Sequence, residues 1–502
     1  MDGKDFREFG KAAIDYIADY YETIRDRPVL SNVQPGYLGD LLPKEPPQNG
    51  ESWRDVLQDV DRVIMPGITH WHSPHFHAYY PTAHSFPSVV GELMSAGFGV
   101  VGLSWIASPA MTELEVVMMN WMGRMLGLPE EFLNCSEGPG GGVIQASASE
   151  STFVGLLTAK EKKVKDLMDE NTSMSEAEIK GKLVAYSSDQ SNSSVEKAGL
   201  LGSMTMRLLP TNEHGQLTAE TLQEAINKDR EAGMIPCYLV ANLGTTPTCA
   251  FDNLEELGPI CKREKVWLHV DAAYAGTAFI CPEYRHFMKG VEMADSFNFN
   301  PHKWMLVNFD CSALWIKDAK YLVEAFNVER IYLKDQHKGL APEYRHWQIA
   351  LGRRFRALKI WFVLRIYGVE GIQNHIRKQI GLAQYLEELI KSDNRFEVCT
   401  SSMGLVTFRL KGDNSLTQKL LQKISDRKNL FLIAGHANGR FVIRYAVCSR
   451  LTEKRDVDYS WKEIKEVTEE LIPSKYKSHE LEKPTIAPLD IQTISGNVEK
   501  SK

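Results

Sequence analysis

The sequence predicts an α/β protein: a large domain with a mostly parallel central sheet, a smaller C-terminal α+β domain and an N-terminal helical arm. Three observations carry this. Between about Phe86 and Lys359, stretches with helical spacing alternate with short continuous apolar runs, among them KLVAYSS, CYLVANLG, VWLHVDAAYAG and SFNFNPHKW. Runs apolar at every position belong to strands buried on both faces, the condition of a parallel sheet covered by helices. After the strongly apolar helical stretch RRFRALKIWFVLRIYG, the shorter runs GLVTFRL and RFVIRYAV mark a second, smaller lobe. Finally, 502 residues exceed what one hydrophobic core accommodates.

The arm comes first in the chain. FREFGKAAIDYIADYYETI spaces Phe6, Phe9, Ala13, Ile17, Tyr20 and Ile24 at three- or four-residue intervals, which predicts an amphipathic helix. VQPGYLGDLLPKEPPQNG follows, too rich in proline and glycine for long regular structure. A helix with little core of its own, joined to an extended arm, is expected to clasp another subunit. The expected division is a helical dimerisation arm over 1–85, a large domain over 86–360 and a small α+β domain over 361–473. A flexible tail, poor in large apolar residues, is expected over 474–502.

Composition excludes several classes of function. With 43% hydrophobic and 25% charged residues, the chain is that of a soluble globular protein. A net charge of −7 provides no basic surplus to neutralise phosphates, so no nucleic-acid partner is expected. No apolar run approaches the roughly 20 residues of a membrane span. MDGKDFREFGKAA lacks the apolar core of a signal peptide, and a cytoplasmic location is expected. The eight cysteines form no CxxC pair, which predicts free, buried thiols rather than a metal or disulfide framework.

Four segments carry candidate chemistry. EGPGGGVIQASASES places glycines before a helix that begins at Ala148, Ser149 and Glu150, and free N–H groups at a helix start suit a phosphate. The pattern is neither GxGxxG nor GxxxxGK[ST], so dinucleotide and nucleoside-triphosphate sites lose support. In VWLHVDAAYAG, Asp271 stands where an apolar strand ends, beside the small Ala272 and Ala273. A carboxylate there suits a pyridinium nitrogen, and a small neighbour leaves room for a flat ring. In SFNFNPHKW, Lys303 follows His302 at another strand end. A lysine in isolation is ordinarily solvent-facing, but a desolvated one can be neutral and condense with an aldehyde. DQSNSSVEKAGLLG reads as a strand end leading into a serine-capped helix. Phosphate cradle, aspartate and lysine in that order point to pyridoxal 5′-phosphate. WHSPHFHAYY also offers His72, His75 and His77, but no acidic partners accompany them and no metal is expected.

These segments, with WHSPHFHAYYPTAHSFP, SWIASPAMTELE and YRHWQIALGRRFRALKIWF, closely resemble the aromatic amino acid decarboxylases, a branch of the fold-type I pyridoxal-phosphate enzymes. The resemblance runs from Phe6 to about Leu471, and NPHKW with HVDAAYAG is its most specific part. It implies that Lys303 bonds the cofactor aldehyde and that Asp271 binds its pyridinium nitrogen. Ala273 would pack on one ring face. Ala148, Ser149 and Asn300 would hold the phosphate, Thr246 would lie near the ring hydroxyl, and His302 would sit beside the lysine. Trp71, Tyr79, Tyr80, Pro81 and Thr82 match the substrate pocket. Leu103 matches a pocket position supplied by the other subunit of a homodimer, and Tyr332 a catalytic tyrosine on a mobile loop.

One position departs from the decarboxylase pattern. Asn192 stands where those enzymes carry a histidine stacked over the cofactor ring. Asparagine at this position marks the insect 3,4-dihydroxyphenylacetaldehyde synthases, the branch this chain resembles most. They convert L-dopa and dioxygen to the aldehyde, carbon dioxide, ammonia and hydrogen peroxide, and the aldehyde crosslinks flexible cuticle. Tyr80, in place of the usual phenylalanine, agrees with that branch; Tyr79 follows the decarboxylases instead. The alternative is a conventional decarboxylase that makes dopamine or another arylalkylamine. A silent homologue retained as a scaffold would not need Lys303 and Asp271.

Overall fold

The computed structural model describes residues 1–170, 173–328 and 341–472. Seven strands form the central sheet: β1 (Gly141–Gln145), β2 (Leu183–Ser188), β3 (Thr205–Leu209), β4 (Ile235–Asn242), β5 (Trp267–Asp271), β6 (Ser296–Phe299) and β7 (Ser312–Ile316). Their order is β1-β7-β6-β5-β4-β2-β3. The apolar runs KLVAYSS, CYLVANLG, VWLHVDAAYAG and SFNFNPHKW supply β2, β4, β5 and β6, which lie side by side and parallel. Their side chains alternate between two cores. Val184, Tyr186, Leu239 and Ala241 face one, while Leu183, Ala185, Tyr238 and Val240 face the other. Both faces are therefore covered, and this is why the runs carry no polar alternation.

The sheet is not parallel throughout. β7 runs antiparallel to both β6 and β1. The short connection from Phe299 to Ser312 holds only one helical turn, Pro301–Trp304, so the chain reverses rather than crossing over to a parallel neighbour. That reversal is what places Lys303 on a tight turn directly beyond β6.

A second sheet contains β8 (Phe396–Ser402), β9 (Leu405–Leu410), β10 (Ile433–Ala437) and β11 (Arg440–Ala446), all antiparallel, in the order β10-β11-β9-β8. The helix Arg356–Lys391 links the lobes. It breaks at Gly368, where φ is 66° and ψ 176°, a backbone state that glycine adopts without a Cβ clash. Its residues up to Ile380 enter the large core, and those from Leu382 onward enter the core of the small sheet.

The N-terminal helix, Gly3–Glu22, is capped by Asp2 and has no buried residue. Six of the eight cysteines are buried and all are free; Cys135 is exposed and Cys399 half-buried, so the expectation of buried thiols fails at these two. His77 is buried, with one ring nitrogen on the Ala446 carbonyl at 3.0 Å and the other on Ser460 Oγ at 3.2 Å. Among the described residues, no helix is long and apolar enough to cross a membrane.

β1 is tied to the rest of the large lobe by an ion pair. Glu115 and Arg353 are both buried and paired twice, at 2.6 and 3.0 Å. Glu115 also accepts the Ile144 N–H at 2.8 Å, and Arg353 donates to the Ile144 carbonyl at 3.2 Å. Removing one partner leaves the other charged and buried. Arg353→Met is expected to lower unfolding free energy by about 3–5 kcal/mol, measured by urea denaturation, with Glu115→Leu/Arg353→Met recovering part of the loss.

Candidate active site

The C-terminal ends of the parallel strands converge on one cavity of about 210 Å³. It is lined by Ser147, Ala148 and Ser149 after β1, Asn192 and Ser194 after β2, and Asn242, Gly244 and Thr246 at and after the end of β4. Asp271, Ala273 and Tyr274 at the end of β5 and Asn300, His302 and Lys303 after β6 complete it, with Tyr80. This is the edge where open α/β sheets bind ligands. The ladder continues beyond the strands: the Ala272 N–H donates to Asn298 at 2.9 Å and the Asn300 N–H to Ala273 at 3.0 Å. Asp271, Ala273 and Lys303 are thereby held in fixed relation.

Each wall has a local cause. The helix Ala148–Asp169 starts at Ser147, whose hydroxyl accepts the Glu150 N–H, leaving the earlier N–H groups at the cavity. Gly244 turns the chain with φ 98°, and a Cβ there would lie 2.6 Å from that of Ala275. The turn aims Thr246 inward. Asn192, rather than a serine as the sequence suggests, caps the helix Ser193–Leu201: its Oδ1 accepts the Ser194 N–H at 3.0 Å. Its Nδ2 donates to Thr246 Oγ1 at 3.0 Å. Both functions of the amide are engaged, so its orientation is fixed.

Burial sets the ionisation of the central groups. It lowers the Lys303 pKa, with Arg444 acting in the same direction and Asp271 opposing. It raises that of Asp271, against the pull of Lys303, the Ala273 N–H and Asn298. The His302 ring falls to about 3, through burial and then the nearby Lys303 and Lys359, and is neutral. The Cys311 N–H donates to His302 Nδ1 at 2.8 Å, so the ring proton is on Nε2, which faces the Asn300 amide at 3.2 Å. Asn300 must offer its oxygen there. Its other amide position, buried and without a protein partner, is then an N–H₂ donor.

A second cavity of about 580 Å³ adjoins the first and is lined by Trp71, Tyr79, Tyr80, Pro81, Thr82, Asn192, Thr246, His302, Lys303, Phe309, Ile433 and Arg444. Tyr79 has φ 57° and stacks on Trp71 at 5.3 Å. Tyr80 is buried between Tyr274, stacked at 3.9 Å, and the Arg444 guanidinium, 5.0 Å from its ring centre. The Tyr80 hydroxyl donates to the Thr245 carbonyl at 2.9 Å. Leu103 lines neither cavity, and Tyr332 lies outside the described residues.

Arg444 was not legible as a site residue. It reaches in from β11, donates to the Tyr79 and Pro247 carbonyls at 3.2 and 3.0 Å, and keeps one buried nitrogen unpartnered. The only signal was an arginine between apolar neighbours in RFVIRYAV. A larger cavity of about 600 Å³ lies at the opposite end of the strands, but its Lys162 and Lys265 are paired with Asp166 and Glu170.

A lysine shifted toward its neutral form, a buried carboxylate beside a small residue, and helix N–H groups with an unpartnered amide suit a phosphorylated pyridine aldehyde. Together they define a pyridoxal-phosphate-dependent enzyme. Residues 35–411 match the pyridoxal-dependent decarboxylase conserved domain, and the chain belongs to that family. It is 56% identical to an aromatic-L-amino-acid decarboxylase of Manduca sexta over 467 residues, covering 93% of this chain and 92% of that one. It is also 56% identical to a 3,4-dihydroxyphenylacetaldehyde synthase of Drosophila melanogaster over 467 residues, 92% of each chain. The Oryza sativa TDC solved with pyridoxal phosphate and tryptamine superposes with a TM-score of 0.90 at 35% identity, over 94% of this chain and 99% of that one.

The cap and the Thr246 tie give Asn192 a measurable structural role. Asn192→Ala is expected to lower stability by about 1 kcal/mol, while Asn192→Asp, which keeps the acceptor, stays within about 0.5 kcal/mol of the parent. Urea denaturation of the two variants checks this.

Proposed function

We propose that the enzyme converts L-dopa, dioxygen and water to 3,4-dihydroxyphenylacetaldehyde, carbon dioxide, ammonia and hydrogen peroxide. One observation carries the proposal. The cavity presents the Asn192 amide, fixed by Ser194 and Thr246, where the decarboxylases that the chain resembles have a histidine.

In this proposal Lys303 holds the cofactor aldehyde, Asp271 keeps a proton on the pyridine nitrogen, and Ala273 and Asn192 flank the ring. Ala148, Ser149 and Asn300 hold the phosphate, His302 orients Asn300, and Thr246 lies near the ring hydroxyl. When bound, pyridoxal phosphate supplies a sink for the electron pair left on the substrate's α-carbon as its carboxylate departs as carbon dioxide. The walls formed by Trp71, Tyr79, Tyr80, Pro81 and Thr82 take the aromatic side chain. Tyr332 is assigned the proton that would complete an amine. A histidine at 192 can titrate near neutral pH and stack as a ring; an asparagine can do neither. Proton delivery is then slow enough for dioxygen to compete at the α-carbon. A difference of about 1.4 kcal/mol between the two barriers shifts the product ratio tenfold.

Tyr80 supports the same outcome. The two departures from the decarboxylase pattern, Tyr80 and Asn192, bind the adjacent residues Thr245 and Thr246. They fix one loop from two sides.

The working unit in this proposal is a cytoplasmic homodimer. The helix Phe86–Phe98 exposes Val90, Leu93, Met94 and Phe98, and the apolar surface continues through Val101 and Ile106. Such a patch, with an N-terminal helix none of whose residues is fully buried in its own chain, suits a second copy. Leu103 lies within this surface and outside its own chain's cavities, as a residue serving the neighbour's pocket would.

Purified enzyme loaded with pyridoxal phosphate is expected to release aldehyde and hydrogen peroxide from L-dopa and to sediment as a dimer of 56.7 kDa chains. Dopamine as the product, without peroxide, would establish the conventional decarboxylase instead; a monomer active at full rate would remove the dimer.

A further inference from the structure

Beneath the cofactor cavity, a line of buried polar side chains runs through the sheet to Asp271. His269 precedes Asp271 by two residues on β5, so its side chain points to the same face. Its ring nitrogens contact Ser296 Oγ at 2.8 Å and Asn298 Oδ1 at 2.9 Å, both on the adjacent strand β6. Trp267, two residues earlier still, donates its indole N–H to the same Ser296 hydroxyl at 2.8 Å. All of these residues are buried.

The direction of every proton in this line is determined. Indole can only donate, so Ser296 Oγ accepts from Trp267; its own proton goes to His269 Nδ1, which is bare because the ring proton is held at Nε2. The Asn298 oxygen can only accept, so the His269 proton is on Nε2. The ring stays neutral, its pKa lowered to about 4 by burial against the opposing contact of Asn298. Asn298 is the register partner of Asp271 across β5 and β6, so the two side chains share a face, and its buried N–H₂, without a hydrogen-bond partner in the protein, is left for the Asp271 carboxylate. Donors thus point one way, from Trp267 through Ser296, His269 and Asn298 to Asp271. Hydrogen bonds aligned in series polarise one another, and here the polarisation favours negative charge at the carboxylate.

Packing keeps the line in place and dry. Tyr238 stacks on His269, 5.9 Å between ring centres, and donates its hydroxyl to the Thr152 carbonyl of the phosphate-side helix at 3.0 Å. Gly155 of that helix lies directly over the line. A Cβ there would come 2.9 Å from the Tyr238 hydroxyl, 3.4 Å from His269 Nδ1 and 3.7 Å from Ser296 Oγ. Apart from this line, the charged or titratable groups facing Asp271 among the described residues are Lys303 and Tyr238.

We propose that His269 is a positioning residue which, with Trp267, Ser296 and Asn298, keeps Asp271 anionic and thereby strengthens its hold on a protonated pyridine nitrogen. The proposal rests on Asp271 being the cofactor's partner. Histidine is suited to the place because it accepts at one edge and donates at the other while remaining neutral. A glutamine can reproduce the donation to Asn298; a phenylalanine fills the volume and breaks the line.

The test uses isotope-edited infrared titration of the Asp271 carboxyl in the full chain, together with the dissociation constant of pyridoxal phosphate. His269→Phe is expected to raise the Asp271 midpoint by about one pH unit and weaken cofactor binding roughly tenfold. Ser296→Ala, which removes one link with little change of shape, is expected to shift both in the same direction by less. His269→Gln should restore most of the parent behaviour. An Asp271 midpoint and cofactor affinity unchanged in His269→Phe would overturn the proposal, and so would equal loss in the Phe and Gln variants. If Asp271→Asn binds the cofactor as tightly as the parent, the assignment of Asp271 itself falls, a result distinguishable from failure of the relay.

Discussion

The burial of a carboxylate beside a lysine at the C-terminal ends of the parallel strands is the constraint on which the site depends. Asp271 and Lys303 are drawn out of water by the convergence of β4, β5 and β6, and neither is at ease there as an isolated ion. Low polarity lowers the lysine toward a neutral, nucleophilic amine. The same low polarity would protonate the aspartate, and Lys303, the Ala273 N–H and Asn298 oppose it. The reversal of the chain into β7 is part of this arrangement, because a longer crossover would not hold Lys303 on a turn fixed to Asn300 and Ala273.

Around that pair, the structure restrains Asn192 and Tyr80 through loops rather than through the sheet. Asn192 ends one loop by capping a helix and joins the next through Thr246. Tyr80 joins the same loop through Thr245 and is clamped between Tyr274 and Arg444. A change at 192 therefore alters a connected wall as well as one side chain.

Much of this was legible in the sequence, for identifiable reasons. β2, β4, β5 and β6 appear as uninterrupted apolar runs because helices cover both their faces, and polar residues at the ends of the runs mark where the cavity opens. Other features depend on partners distant in sequence. Arg444 acts on carbonyls at 79 and 247, and nothing near 444 records them. The line from Trp267 to Asp271 alternates between two neighbouring strands, so its members are seen together only when the register of β5 and β6 is known. The sequence leaves the cap open to a serine because Asn, Ser and Thr are all good caps, and local spacing does not distinguish which of SNSS begins the helix. The mostly parallel sheet is legible but the antiparallel β7 within it is not, since a buried strand of either direction carries the same apolar pattern.

In the proposed reaction, residue 192 divides the substrate between proton and dioxygen. The direct measurement is the number of dioxygen molecules consumed per carbon dioxide released from L-dopa, in the parent and in Asn192→His. A ratio near one is expected for the parent and a clear fall in the variant, with amine making up the difference. An equal ratio in the two proteins would contradict it.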